Sequence, residues 1–148
     1  MRRDNNRFLF AAVAALILAA SCTTRPDQQL GRRISVAVEA SDVSMVNVSE
    51  VAAFAWDRLF VFPPYTSSAQ VEKELGFRWS ESARIESSDS FVLLVFVDGG
   101  RVVRFIEQPR SSGDFSPCHR AGGFSRSEAV FRFTKDTSGW RRCTPGGD

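Results

Sequence analysis

Residues 91–107 read FVLLVFVDGGRVVRFIE, and this stretch decides the predicted fold. The seven consecutive apolar residues 91–97 are typical of a strand that is buried on both faces. Glycines follow at positions 99 and 100, where a type I′ turn needs positive φ at both central residues. The sequence therefore predicts a β-hairpin, with a central first strand and a second strand over residues 101–107.

The turn also predicts how the two strands pair. A turn at the two glycines places Phe96 opposite Val103 and Leu94 opposite Phe105. A turn one residue earlier would instead place Phe96 opposite Arg101. We expect the first register, because it gathers apolar side chains on one face.

The clearest helix signal lies between the two halves of the chain. Ser67 with Gln70 three residues later resembles a capping box, and Gly76 fits the residue after a helix. Residues 109–123 read as a loop. The other expected elements are strands over residues 33–39, 56–62, 128–134 and 140–144 and a short helix capped by Ser49 within residues 43–55. The predicted class is α+β, a mostly antiparallel sheet of about five strands with one main helix packed on it.

The first residues have the pattern of an export signal. Arg2, Arg3 and Arg7 precede an apolar run over residues 8–20, and small residues then lead to Cys22. The run is shorter than the roughly 20 residues that span a bilayer as a helix. This stretch resembles the lipobox of a bacterial lipoprotein signal peptide. The resemblance implies that residues 1–21 are removed and that the Cys22 thiol is acylated.

Two other outcomes for this segment stay open. Ordinary cleavage after Ser21 would release a soluble secreted protein, and an uncleaved segment would act as an anchor helix. In the lipoprotein case we expect Cys22 and a polar tether over residues 22–31, followed by one small α+β domain over residues 32–148. Thr23 stands where an aspartate would signal inner-membrane retention, so the resemblance implies outer-membrane sorting in a two-membrane envelope.

Charge places few limits on the partner. The segment 1–21 holds three of the 19 Lys/Arg and one of the 17 Asp/Glu, so the net charge of +2 belongs to it. We expect no nucleic-acid partner for the exported chain, because the compartment outside the cytoplasm contains little nucleic acid. The basic residues of the C-terminal part are expected either to be solvated or to face anionic lipid or glycan. They include Arg126, Arg132, Lys135, Arg141 and Arg142.

With Cys22 assigned to lipid, Cys118 and Cys143 remain. An even pair in an oxidising compartment predicts a disulfide. The rival assignment adds His119 and makes the three residues metal ligands, but a fourth ligand is missing from the Cys and His inventory. We therefore expect no metal and no cofactor.

The sequence contains no recognisable catalytic motif. His119 is the only histidine, and Glu72 and Glu74 are expected on a solvated helix face. A glycosidase pair from distant segments, such as Asp57 with Glu107, stays open.

An aromatic cluster is the remaining candidate for a binding site. Trp56, Phe60, Tyr65 and Trp79 could form an exposed binding surface together with Phe62 and Phe77, and core packing is the alternative.

The leading hypothesis is a non-enzymatic binding or structural module, anchored to the cell envelope by lipid, at the periplasmic face of the outer membrane in a two-membrane cell. Its partners would be the membrane itself and an envelope protein, glycan or lipid. The chain in this respect resembles small uncharacterised bacterial envelope lipoproteins. The alternative is a small secreted or periplasmic hydrolase or hydrolase inhibitor.

Overall fold

A computed structural model describes residues 25–145, in which the strands form two antiparallel sheets. The strands are β1 (Val43–Asn47), β2 (Arg58–Phe62), β3 (Phe91–Asp98), β4 (Arg101–Pro109), β5 (Phe124–Ser125), β6 (Val130–Lys135) and β7 (Arg141–Pro145). The helices are α1 (Gln28–Glu39), α2 (Val48–Val51) and α3 (Ser68–Leu75), with short 3₁₀ helices at Ser82–Ile85, Arg110–Ser112 and Ser116–Cys118.

One sheet has the strand order β4–β3–β2–β5 and the other β1–β6–β7. The predicted α+β class is confirmed. The finer prediction, a single sheet of about five strands under one main helix, matches only roughly, since the described residues form two sheets and three α-helices.

The hairpin of β3 and β4 turns at the expected residues. Gly99 and Gly100 have φ values of 56° and 75°, as a type I′ turn requires. Asp98 lies opposite Arg101, which excludes the alternative turn one residue earlier.

Beyond the turn the predicted register is wrong by one residue. A β-bulge between Phe96 and Val97 places Phe96 opposite Arg104 and Leu94 opposite Ile106. Because residues 105 and 106 are both apolar, either register buries a large side chain, so the hydrophobic pattern could not distinguish them. The bulge turns the Arg104 side of β4 toward α1.

Strand β3 is buried on both faces, as predicted. Its residues 92, 94 and 96 belong to one hydrophobic cluster, and residues 93, 95 and 97 belong to another. The first cluster is covered by α1 and the three-stranded sheet. The second is covered by α3 and the Ser82–Ile85 turn.

Helix α1 replaces the strand predicted over residues 33–39. Leu30, Ile34 and Val38 are fully buried at a spacing of four, whereas Val36 is 70% exposed. Ile34, Val36 and Val38 also alternate in sequence, which suggested a strand. The helical period prevails because Asp27 caps the helix by accepting the Leu30 N–H, and this also ends the expected tether well before residue 31.

Helix α3 follows its local signals. Ser67 is the N-cap and accepts the Gln70 N–H, and Gly76 closes the helix with φ 81°. The buried face consists of Val71 and Leu75. Helix α2 is shorter than expected and is capped by Asn47, not by Ser49.

The three-stranded sheet is joined to the long loop by a disulfide. Cys118 and Cys143 are bonded, with Cα atoms 5.9 Å apart, so this prediction is confirmed. Ala129, Phe131 and Phe133 share the buried face of β6 and its entry, as the sequence indicated. The bond ties the loop after β4 to β7 over the first hydrophobic cluster.

Candidate functional site

The aromatic residues proposed as a binding surface do not form one. Trp56, Phe60 and Trp79 are at most 9% exposed, and only Tyr65 is largely exposed, at 64%. Trp56 lies in the first hydrophobic cluster, whereas Phe60 and Trp79 lie in the second, across the sheet. Core packing therefore describes three of the four residues.

The two glutamates of α3 are not a solvated face as expected. Glu72 accepts hydrogen bonds from the Trp79 N–H and the Ser82 hydroxyl and so holds the chain that leaves the helix. Glu74 lies 3.1 Å from His119 Nε2 and ties α3 to the loop beyond Cys118. These contacts are structural links between neighbouring segments.

Asp57 and Glu107 cannot act together as a glycosidase pair in this arrangement. Asp57 is bonded through its backbone to Val97, and Glu107 lies opposite Leu93, four residues along β3 or about 13 Å away. Glycosidase carboxylates lie about 5–9.5 Å apart. Both carboxylates also have partners, the Gly99 N–H and Arg84 respectively.

The basic residues of the C-terminal part are distributed over several contacts. Arg126 lies over the Trp56 ring and donates to the Phe54 carbonyl. Arg142 pairs with Asp136, and Arg141 lies 3.9 Å from Asp42, as does Lys135. Arg132 lies on the exposed face of β6. Most of these charges thus act within the fold.

A groove beside α1 is the candidate ligand site. It has a volume of about 530 Å³, within the range of small-molecule sites. One wall is the exposed side of α1, and the other is the outer edge of β4 and the turn after it. Its lining comprises Pro26, Asp27, Gln28, Gly31, Arg32, Ser35, Val36, Glu39, Ile106, Glu107, Pro109 and Ser112.

The groove forms beside the place where the first turn of α1 lies close to β4. Gly31 faces Ile106, and a Cβ at residue 31 would lie only 3.0 Å from Ile106 Cγ2. The Asp27 N–H donates to the Phe105 carbonyl and fixes the start of the helix on the strand. The helix and the strand edge then form the two walls beyond this contact.

Electrostatic contacts fix the same end of the groove. The Asp27 carboxylate lies 2.8 Å from the Arg104 guanidinium, which also stacks over the Phe54 ring. Burial alone would raise the pKa of Asp27, but the hydrogen bond from Leu30 and the bond and charge of Arg104 outweigh it. The pKa of Asp27 therefore lies below its usual value, and the carboxylate is ionised at neutral pH.

The backbone N–H and carbonyl of Glu107 point away from β3, on the edge of the sheet beside the groove. Successive peptide groups of a strand face alternate sides. The Arg110 N–H donates inward to Ser90 near β3, whereas the Phe105 carbonyl accepts outward from Asp27. Glu107 lies two residues after Phe105 in β4, so its N–H and carbonyl point in the same direction as those of Phe105. They therefore lie on the free edge of β4.

A buried amide lies directly behind the groove. Gln108 is fully buried and donates from Nε2 to the Ser35 hydroxyl, while its Oε1 has no hydrogen-bond partner among the described residues. A Cβ on Gly31 would lie 3.9 Å from that oxygen. Gly31 and Ser35 both line the groove, so an unpaired acceptor lies next to its floor.

The groove was not predicted from the sequence. Its helical wall was expected to be a strand, and its first residues were expected to be a tether. Asp27 followed by Leu30, Ile34 and Val38 was the available signal, an N-cap before an apolar spacing of four.

The remaining predicted site residues have simple positions. Cys118 and Cys143 are joined to each other, and Cys22 lies outside the described residues together with the rest of the export signal. Within residues 25–145 no three His, Cys, Asp or Glu side chains are grouped so that they could share a metal ion. Over the same residues no helix has the length and apolarity needed to cross a bilayer.

Comparison with protein-family models, curated proteins and solved structures found no match to this chain.

Proposed function

We propose that the protein is a lipid-anchored binding module of the bacterial cell envelope, and that the groove between α1 and β4 is its ligand site. Cys22 is the proposed acylation site, on the resemblance of residues 1–22 to a lipoprotein signal. The groove is the observation that carries the binding role, since its lining combines apolar residues, such as Val36 and Ile106, with charged ones, such as Arg32 and Glu39.

The position of α1 gives the proposed anchor a mechanical consequence. Pro26, which already lines the groove, follows Cys22 by only four positions. An extended chain of that length reaches about 14 Å. The start of α1 would therefore be held close to the lipid headgroups, where the expected longer tether would have let the domain move away.

The groove would remain accessible in this position. Helix α1 has 12 residues and so is about 18 Å long, which takes the far end of the groove away from the anchored end. Two acyl chains give stable membrane attachment where a single chain is marginal. A partner in the surrounding aqueous compartment could thus reach the groove while the protein stays on the membrane.

A photo-crosslinking experiment in cells tests the binding role. The photoreactive residue p-benzoylphenylalanine would replace Val36 in the groove, and in a matched chain it would replace Met45, which is 59% exposed on β1 in the other sheet. We expect a discrete crosslinked product from position 36 and none from position 45. Products of equal yield from both positions, or from neither, would contradict a ligand site in the groove.

The anchor has its own test. We expect mass spectrometry of the purified protein to find an N-terminal Cys22 carrying fatty acyl chains, and the wild-type protein to enter the detergent phase on partitioning. The Cys22→Ser variant should remain in the aqueous phase. An intact leader, or detergent partitioning that persists in Cys22→Ser, would contradict lipid anchoring.

A further inference from the structure

We infer that the occupant of the groove is an extended peptide segment of a partner protein, which adds to β4 as an extra strand. This inference rests on the proposed ligand site and names its chemistry. Peptides recognised by strand addition gain affinity from main-chain hydrogen bonds at a sheet edge and specificity from alternate side chains.

The backbone of Glu107 carries the first argument. The edge of β4 is covered at Phe105, where Asp27 donates to the carbonyl, and it is free at Glu107. An unpaired N–H and carbonyl of one residue form the pair that a neighbouring strand satisfies. Proteins usually protect such an edge. Glu107 is unprotected between Phe105, which is covered, and Pro109, which indicates a short edge to which another chain can add.

The Gln108 amide carries an independent second argument. Nearly all buried polar groups in proteins have a hydrogen-bond partner, so its unpaired Oε1 needs an explanation. Gly31 and Ser35 lie beside this oxygen and line the groove. The oxygen is buried behind the floor of the groove, so a peptide N–H or polar side chain would supply the missing donor only with a small displacement of Gly31 or Ser35 on binding.

The exposed side of α1 sets the expected side-chain preference. Arg32, Val36 and Glu39 lie on one face of the helix, at a spacing of four and then three residues. Neither Arg32 nor Glu39 forms an ion pair within residues 25–145. The two residues lie about 10 Å apart along the helix, which corresponds to about three residues of extended chain. The matching segment has an acidic residue near Arg32, an apolar residue near Val36 and a basic residue near Glu39.

Selection from a phage library of random peptides, about 12 residues long, tests the inference with the full chain purified in detergent. We expect enriched peptides with the acidic, apolar and basic pattern, and slower hydrogen exchange of the Glu107 amide when such a peptide binds. Failure to enrich any peptide over blank beads, or protection confined to amides outside the groove, would overturn the inference.

Two variants of one residue separate the backbone from the side chain. Glu107→Ala removes the carboxylate that bonds Arg84 but keeps the N–H, whereas Glu107→Pro removes the N–H as well. We expect Glu107→Pro to weaken the Kd of an enriched peptide by about tenfold or more relative to Glu107→Ala. Equal Kd values for the two variants would overturn strand addition.

Modified peptides keep the test decisive if Glu107→Pro does not fold. The enriched peptide would be N-methylated at alternate residues, in two complementary sets. Because only one set of N–H groups faces β4, we expect one set to lose binding by about tenfold or more and the other to retain it. Equal binding by both sets would overturn the inference.

The same selection on the Cys22→Ser chain separates this inference from the anchor. Acylation does not change the β4 edge, so we expect the same peptides from both chains. If peptides bind in this way and Cys22 proves not to be acylated, only the anchored location fails. If Cys22 is acylated and position 36 crosslinks a ligand that is not a peptide, only the strand addition fails.

Discussion

Helices α1 and α3 cover opposite faces of the same four-stranded sheet, and they do so in different ways. Helix α3 is closed at both ends by its own residues, Ser67 and Gly76, and seals a small cluster. Helix α1 is capped by Asp27, which is itself bonded to β4 through its backbone and to Arg104 through its side chain. The two ends of α3 are thus closed by local contacts, whereas the start of α1 is also held by tertiary ones.

This difference has a functional consequence. Helix α3 packs Val71 and Leu75 against the second hydrophobic cluster. Helix α1 is held at its start and at Gly31, and its exposed side stands beside a free strand edge. The binding site that we propose therefore lies where the sequence is least able to dictate its local structure.

Two core substitutions, one under each helix, give the largest expected effects. Phe96 and Phe105 are both fully buried, on opposite faces of the sheet. Phe96 packs edge-on against Phe54 and Trp56, whereas Phe105 lies on the edge strand against one ring, Trp79. A Phe→Ala change in a core costs about 3–5 kcal/mol, less where the site can collapse.

We therefore expect Phe96→Ala to lower the free energy of unfolding by about 1 kcal/mol more than Phe105→Ala does. Urea denaturation followed by circular dichroism measures both. A larger loss for Phe105→Ala would show that the cluster under α3, and not the one under α1, is the main core.

The disulfide lies only on the α1 side and should have the next largest effect. Cys118 and Cys143 close a loop with a sequence separation of 25. In the chain-entropy model such a loop stabilises the fold by about 3–4 kcal/mol, so we expect the Cys118→Ala, Cys143→Ala double variant to lose that amount. Urea denaturation of the oxidised wild type and of the variant measures it.

Reduced wild type provides the control for the alanine substitutions themselves. It should show the same loss as the double variant. A loss below about 1 kcal/mol in both would indicate that backbone hydrogen bonds hold the loop after β4 on β7 without the covalent bond. Those bonds join Asp114 to Arg141 and Cys143.

The comparison of the helices also explains which parts of the fold were predictable. The α3 cap, the Gly99–Gly100 turn, the buried face of β6 and the disulfide each depend on residues close in sequence or on a unique cysteine pair, and each was predicted correctly. Helix α1 was not, because Ile34, Val36 and Val38 satisfy the strand period. The helix depends on Leu30 and on its N-cap Asp27, whose backbone bonds to the distant strand β4.

The groove was unpredictable for the same reason. Its walls meet through Gly31 and Ile106, and the register of β4 depends on a bulge that the apolar pattern does not specify. The free edge at Glu107 can be deduced only when two things are known, the order of the strands and the direction in which each backbone N–H and carbonyl of β4 points. Hydrophobic patterns in a sequence indicate which side chains are buried. This site depends instead on which backbone N–H and carbonyl groups have no hydrogen-bond partner within the sheet.

The two N-caps provide the smallest and most specific test of the contrast. Ser67→Ala removes one hydrogen bond to the Gln70 N–H and should cost about 1 kcal/mol. Asp27→Ala removes the bond to Leu30 together with the ion pair to Arg104, so we expect a loss at pH 7 of about 2 kcal/mol, the upper end of the range for caps.

The effect of pH distinguishes the two caps further. The pKa of Asp27 in the folded protein lies below its usual value of 3.8, so its ionised form stabilises the fold above that value. This contribution is lost as the pH falls through the folded-state pKa. The gap between wild type and Asp27→Ala should thus shrink between about pH 5 and pH 2, while the gap for Ser67→Ala stays constant.

Urea denaturation of the three proteins at a series of pH values measures both gaps. Asp114 is also held below its usual pKa by Arg110 and Ser116 despite its burial, but it is present in all three proteins and cancels in the differences. A gap for Asp27→Ala that is close to zero at every pH would show that Asp27 holds α1 through its backbone bond to Phe105 alone, because the variant keeps that bond. Helix α1 would then be positioned by the strand edge itself, and the contrast with the locally capped α3 would become stronger.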